Sequence, residues 1–148
     1  MSAGNTFEND LLLLIYNNTN CALVGDATGL RGSSTAGSLY VSLHTADPGE
    51  AGSQTTSETS YTGYARVAVA RSGAGWTVSS SSVSNAAAVT FGACTAGPVT
   101  ITHFGVGTDS SGAGKLLFKG ALAASLSVTA SPSVTPNFAI GAITNAVD

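Results

Sequence analysis

The stretch LYVSLHT, residues 39–45, alternates apolar with other side chains at the period of a β-strand. Leu39, Val41 and Leu43 fall on one face of this strand, so we expect that face to lie against the core. The sequence ADPG at residues 46–49 then ends the strand, because proline fixes one turn position and glycine accepts a positive φ. The stretch therefore predicts a strand that stops at a defined turn.

A long polar segment separates this strand from the next one. Residues 50–60 are rich in Ser, Thr, Gln and Glu, and residues 67–71 alternate again. Two strands joined by a long polar loop, rather than by a tight hairpin, are typical of a sandwich or jelly roll that displays the loop. We expect His44, at the end of the first strand, to form a hydrogen bond with the turn at residues 46–49.

Further short runs with strand propensity follow along the chain, at a spacing of about 8–12 residues. They total seven to nine strands, which predicts an all-β fold: a single-domain β-sandwich or jelly roll with a short N-terminal α-helix. A change of apolar face near His103 predicts either a bulge or a bend between sheets. Trp76 begins a strand and is expected in the core. The other predicted segments are a polar link at residues 79–84 and strands at residues 85–91, 99–106, 115–122, 126–129 and 137–143.

The N-terminal segment predicts a helix over residues 6–16. Asn5 and Glu8 have the spacing of a capping box, just before an apolar run at residues 11–16. Because this run leaves little polar face, the helix must be covered either by its own domain or by a partner. We therefore divide the chain into an N-terminal helix with a linker arm, residues 1–37, and a β-sandwich domain, residues 38–148.

Charged residues are scarce in this chain. They make up 9% of 148 residues, against about 25% in ordinary soluble domains. Depletion of charge is a property of protein–protein interface cores, so we expect neighbouring proteins to cover much of the surface. With a net charge of −3 and only five Lys and Arg residues, which are scattered, the chain has no basic stripe for nucleic acid.

The chain offers no signal for a membrane or an oxidising compartment. Its longest apolar run, residues 11–16, is too short to cross a bilayer and lacks the features of a signal peptide. We expect synthesis in the cytoplasm without secretion. Cys21 and Cys94 are far apart in sequence, which favours free thiols over a disulfide or a zinc site.

The residues around the first loop resemble a family of small tailed-bacteriophage virion proteins. The resemblance is carried by LHTADPGEAG at residues 43–52 and YTGYARV at residues 61–67, and it extends to about two-thirds of the chain. Members of this family are often described as tail fibre proteins and are similar in size to head decoration, or cement, proteins. The resemblance implies a virion component, and it supplies no catalytic residues.

The residues themselves do not form a recognisable catalytic or metal-binding pattern. There is no G-x-S-x-G elbow, the eight acidic residues lie mostly in loops and at the N-terminus, and the two histidines lie on different strands. A calcium site in the loop of Asp47, Glu50 and Glu58 is the one alternative that the carboxylates leave open. We expect a protein that is not an enzyme and needs no metal or cofactor.

Two elements are predicted to contact partners: the apolar helix and the displayed loop. Tyrosine, arginine and large apolar side chains are the residue types that dominate protein interfaces, and Arg66 could also pair with Asp47 or Glu58 to fix the loop. The predicted interface residues are Phe7, Leu11, Leu12, Ile15, Asp47, Tyr61, Tyr64 and Arg66.

These observations favour a capsid decoration protein on the virion surface that binds the major capsid protein and associates as a dimer or trimer. The alternative hypothesis is a tail component or fibre-tip module that binds tail proteins or a host receptor.

Overall fold

The computed structural model describes residues 4–26, 29–30 and 32–147, with the side chains of residues 4–21 and 32–147. It contains one helix, α1 (Asn5–Asn17), and otherwise β-strands in antiparallel arrangement. This confirms the predicted all-β class with a short N-terminal helix. Eleven strands lie within the described residues: β1 (Cys21–Asp26), β2 (Gly29–Leu30), β3 (Ser38–His44), β4 (Val67–Ala70), β5 (Trp76–Ser79), β6 (Ser82–Asn85), β7 (Val89–Thr90), β8 (Val99–Gly107), β9 (Leu116–Val128), β10 (Asn137–Phe138) and β11 (Thr144–Ala146).

The chain forms two compact units, each built from several segments. The first unit, called here the helix unit, comprises Met1–Ser38, Val69–Ala88 and Phe138–Asp148. The second, called the loop unit, comprises Leu39–Ala68 and Val89–Asn137. The predicted division at residue 37 stays a prediction.

The larger sheet, with strand order β4-β3-β8-β9, belongs mostly to the loop unit, except for Ser38 of β3 and the second half of β4. The predicted face of β3 is confirmed, since Leu39, Val41 and Leu43 are all buried. The bulge near His103 is also confirmed, because the register between β8 and β9 shifts between Ile101 and His103. Four residues of β9 thus stand opposite a single residue of β8, and a 13-residue strand replaces the two separate strands predicted there.

The helix unit packs α1 against a three-stranded sheet of order β11-β6-β5. Trp76 is only 1% exposed, as predicted for a core residue, and its ring meets that of Tyr16 edge-on at a centroid distance of 4.8 Å. Residues 79–84 are not a polar link but the turn and adjoining strands of the β5–β6 hairpin. Ser80 takes the left-handed conformation, with φ of 54°, which closes this turn without a glycine.

Buried Asn85 explains why two predicted strands are shorter than expected. Its amide nitrogen donates to the carbonyls of Ala87 and Ala139, and its side-chain oxygen accepts from the backbone N–H of Ile143. These three bonds hold the chain in turns on either side, so residues 85–91 contribute only the end of β6 and the short β7. The predicted strand at residues 137–143 is likewise replaced by β10 and a turn that precedes β11.

The ends of α1 differ from the predicted capping box. The N-cap is Gly4, which makes no side-chain cap, and its carbonyl accepts the backbone N–H of Glu8. Glu8 is itself buried rather than folded back onto the helix terminus. At the other end Asn18 adopts the left-handed conformation and its N–H bonds the carbonyl of Leu13, which closes the helix.

Candidate functional site

An ion pair between Arg66 and Glu58 lies at the centre of the loop unit. The Nε and Nη2 atoms of Arg66 donate to the two carboxylate oxygens of Glu58, each at 2.7 Å, so the pair is bidentate. The side chains are 2% and 14% exposed, respectively. Of the two partners that the sequence left open for Arg66, the structure selects Glu58. The paired carboxylate raises the pKa of the guanidinium, which therefore stays charged.

Tyr64 extends this ion pair to the main sheet. Its hydroxyl donates to Glu58 Oε1 at 2.7 Å and accepts the backbone N–H of Leu43 at 3.1 Å. Burial, more than any other cause, raises the pKa of the Tyr64 phenol, so the ring remains neutral. The tyrosine thus ties the loop to β3 rather than standing free for a partner.

Arg66 and Gln54 join the loop after β3 to the loop between β8 and β9. Arg66 donates to the carbonyl of Asp109 at 2.9 Å and to that of Gly112 at 2.7 Å. Gln54, fully buried, accepts from the Asp109 N–H at 2.9 Å and donates to its carbonyl at 3.2 Å. We call this set of contacts the latch. Because the latch joins side chains of the first loop to main-chain groups of the second, it fixes the two loops as one surface.

His44 does not bind the turn at residues 46–49, contrary to the sequence prediction. Its Nδ1 donates to the carbonyl of Thr56 at 2.9 Å, so its Nε2 accepts the hydroxyl of Ser42 at 2.8 Å in the neutral ring. Burial lowers the pKa of His44, which favours this neutral form. Gly105 lies against both side chains, where a Cβ atom would meet Ser42 and His44. The Ser–His pair is fully buried and cannot meet a substrate.

Asp47 lies apart from the latch, on the exposed turn. Its carboxylate accepts the backbone N–H of Gly49 at 2.8 Å and binds Lys119, which also reaches Glu50 at 3.2 Å. The N–H of Gly49, followed by Lys119, lowers the pKa of Asp47. Each carboxylate of the calcium alternative therefore has a cationic side chain beside it, since Glu58 binds Arg66. No group of three His, Cys, Asp or Glu residues converges in the described part of the chain.

A groove of about 460 Å³ opens beside the ion pair. The structure brings three of the predicted interface residues together here: Tyr61, Tyr64 and Arg66. Tyr61 is only 4% exposed and its hydroxyl donates to the carbonyl of Gly92 at 2.9 Å. The opposite wall comes from the second loop, through Ser110, Ser111 and Gly112.

Apart from Asp47, the remaining four predicted interface residues lie on α1 in the helix unit. Leu12 is fully buried and, with Glu8 and Tyr16, forms the inner face of the helix. Phe7 is 42% exposed, and Leu11 and Ile15 are partly exposed. Leu14, which the sequence interpretation did not select, is partly exposed as well and lies seven residues after Phe7. We call Phe7, Leu11, Leu14 and Ile15 the outer stripe.

Arg71 is a structural residue that could not be selected from its sequence context. It donates to the carbonyls of Ile15 at 2.8 Å, Leu14 at 2.8 Å and Ala36 at 3.1 Å. Two of these carbonyls belong to the last turn of α1, where a cation also opposes the partial negative charge of the helix end. Arg71 therefore fixes the C-terminal end of the helix that carries the outer stripe.

Both cysteines are free and buried. Within the described residues, no helix is both long and apolar enough to cross a bilayer.

The chain was compared with known proteins. A family model described as podophage GP4 fiber I protein gp80 matches residues 5–146. The match covers α1 and all eleven strands. A search of curated proteins found no match.

Proposed function

The chain belongs to the podophage GP4 fiber I protein gp80 family of phage virion proteins, and we propose that it serves as a structural part of a tail fibre. The observation that supports this most is the extent of the family match, which includes the helix and every strand. A phage fibre protein acts by binding other virion components. We further propose that this chain is not an enzyme and uses no cofactor.

The geometry of the loop unit supports a binding role. The groove walls are fixed before any partner arrives, because Arg66 and Gln54 bind main-chain groups of the facing loop. A surface that is already ordered loses little conformational entropy on association. The ion pair of Arg66 and Glu58 also carries no net charge and is largely buried, so it shapes the groove without favouring partners of one charge.

Capsid decoration is the second candidate for the place of this protein in the virion. The low share of charged residues, 9%, supports a protein that neighbouring subunits cover over much of its surface. In that role the protein would bind the major capsid protein as a dimer or trimer, and each binding event would stabilise the assembled shell by mass action.

Copy number and position distinguish the two candidates. Quantitative mass spectrometry of purified particles, normalised to the major capsid protein, should give the few copies per particle that a fibre contains. Antibody labelling followed by electron microscopy should place them at the tail. Hundreds of copies distributed over the head would instead support decoration. Absence of the protein from purified particles would contradict both candidates.

A further inference from the structure

The outer stripe of α1 is a partly exposed apolar surface. Residues Phe7, Leu11 and Leu14 recur at intervals of four and three along the helix, so they line one side of it. The inner face, with Leu12 and Tyr16, already packs in the helix unit. The helix thus has two apolar faces, of which one is buried and the other retains a phenylalanine that is 42% exposed. An exposed phenylalanine next to half-buried leucines forms an apolar patch, and apolar patches on a protein surface are typical of interaction sites.

The charge beside the stripe indicates which kind of partner fits it. Asp10 lies three residues after Phe7 and four before Leu14, so it borders the stripe on the helix surface. Its carboxylate has only a long contact with the thiol of Cys21, at 4.0 Å, and none of the described residues brings a cation to it. The helix itself contains no Lys, Arg or His. Among the described residues, the border of the stripe therefore carries a negative charge that no cation offsets.

A second copy of this chain is a poor partner for the stripe. In a two-fold symmetric helix pair each residue near the axis faces the same region of its mate. Pairing centred on Leu11, the middle of the stripe, would bring the two Asp10 carboxylates close together, with no base on either helix to offset them. Like charges placed together across an interface disfavour the complex.

We propose that the outer stripe docks into an apolar groove, bordered by Lys or Arg side chains, on a different virion protein. This inference rests on the proposed function, since it names the surface through which the fibre protein joins the particle. The apolar side chains supply the burial that holds the complex, and Asp10 selects the partner by charge. Arg71 positions the stripe by fixing the helix end.

The test is incorporation of variant proteins into particles during infection. Phage encoding Phe7→Ser, Leu11→Ser or Asp10→Lys would be purified, and copies per particle measured by mass spectrometry against the wild type. Thr6→Ala, at an exposed polar position of α1 that is not part of the stripe, is the matched control. Unfolding midpoints of the purified variants would show that each one folds, and Asp10→Lys, which removes no apolar side chain, keeps the test valid if the serine variants do not.

We expect Phe7→Ser to lower incorporation about tenfold, the ratio that corresponds to burial of one large apolar side chain. Asp10→Lys should lower it about threefold, as expected for a charge at the edge of an interface, and Thr6→Ala should leave it unchanged. Wild-type incorporation of a folded Phe7→Ser variant, or equal or better incorporation of Asp10→Lys, would overturn the inference. Absence of the wild-type protein from particles would instead contradict the proposed function.

Discussion

Arg66 and Arg71 are close in sequence, but they stabilise different units by different means. Arg66, in the loop unit, binds a carboxylate through two nitrogens and then two carbonyls of a distant loop. Arg71, in the helix unit, binds three carbonyls; no acidic side chain accepts a hydrogen bond from it among the described residues. The first guanidinium is compensated by a full charge, and the second by backbone dipoles.

The difference shows how a chain with few charged residues can use them to stabilise its fold. A buried carboxylate without its cation retains a large desolvation cost, whereas carbonyls at a helix end can turn to water. Loss of Arg66 should therefore destabilise its unit more than loss of Arg71 destabilises the other. The expected loss of unfolding free energy decreases from Arg66 through Gln54 and Arg71 to His44.

Arg66→Ala should produce the largest loss, about 3 kcal/mol of unfolding free energy, because it leaves the largely buried Glu58 carboxylate without a cation. Urea denaturation measures this value. Lys119→Ala, which removes an exposed ion pair of Asp47, is the matched control and should leave the midpoint unchanged. If both variants unfold at the same urea concentration, the ion pair is not a main support of the latch.

Gln54→Ala should cost about 2 kcal/mol, since it leaves the N–H and the carbonyl of Asp109 without their partners and empties a fully buried position. Hydrogen exchange should increase at residues 108–114 and remain unchanged in α1. Faster exchange of α1 instead would show that the latch is not confined to the loop unit.

Arg71→Ala should cost about 1.5 kcal/mol, less than Arg66→Ala, because the carbonyls it leaves can bind water. The faster amide exchange should be limited to the last turn of α1. Arg71→Lys keeps the charge but lacks the planar set of guanidinium N–H donors. Its free energy of unfolding should therefore lie between those of the wild type and the alanine variant. A loss equal to that of Arg66→Ala would remove the distinction between the two arginines.

The smallest effect concerns pH and His44. Burial lowers the pKa of His44 from its ordinary value of 6.5, so below that pH the unfolded chain takes up a proton that the folded chain resists. Unfolding free energy should therefore fall as pH drops below about 6.5, with a slope of at most about 1.4 kcal/mol per pH unit from this group. In His44→Gln the slope just below pH 6.5 should be shallower. An unchanged slope would show that His44 is not its source.

The parts of the fold that depend on local pattern could be predicted from the sequence. The alternation in β3 and the start of a strand at Trp76 follow from side chains next to one another, and both were confirmed. The β5–β6 hairpin was missed because its turn contains only serine, without the Gly or Asn that usually marks a left-handed position. Packing of Trp76 against Tyr16 of α1 stabilises this hairpin in spite of its weak turn signal.

The site was predictable only where charges carry the information. Arg66 and Glu58 were identifiable as a possible pair because charged residues are so few, and Asp47 was excluded only by its contacts with Gly49 and Lys119. The acceptors of Arg71 are backbone carbonyls far away in sequence. Every residue has a backbone carbonyl, so the sequence does not show which ones Arg71 binds. Leu14 was overlooked because four consecutive leucines hide which ones face inward until the helix is placed.

The latch also restricts which mutations the loop unit can tolerate. A Cβ atom at Gly107 or at Gly114 would collide with the side chain of Gln54, so these three positions share one small volume. A larger residue at position 107 is compatible with the fold only when residue 54 becomes smaller, whereas Gly114 also lies against Asp109 and has a φ of 49°, which disfavours any side chain. In a saturation library positions 54 and 107 should therefore show strong epistasis, and single-site tolerance scores would understate the diversity that the loops can accept.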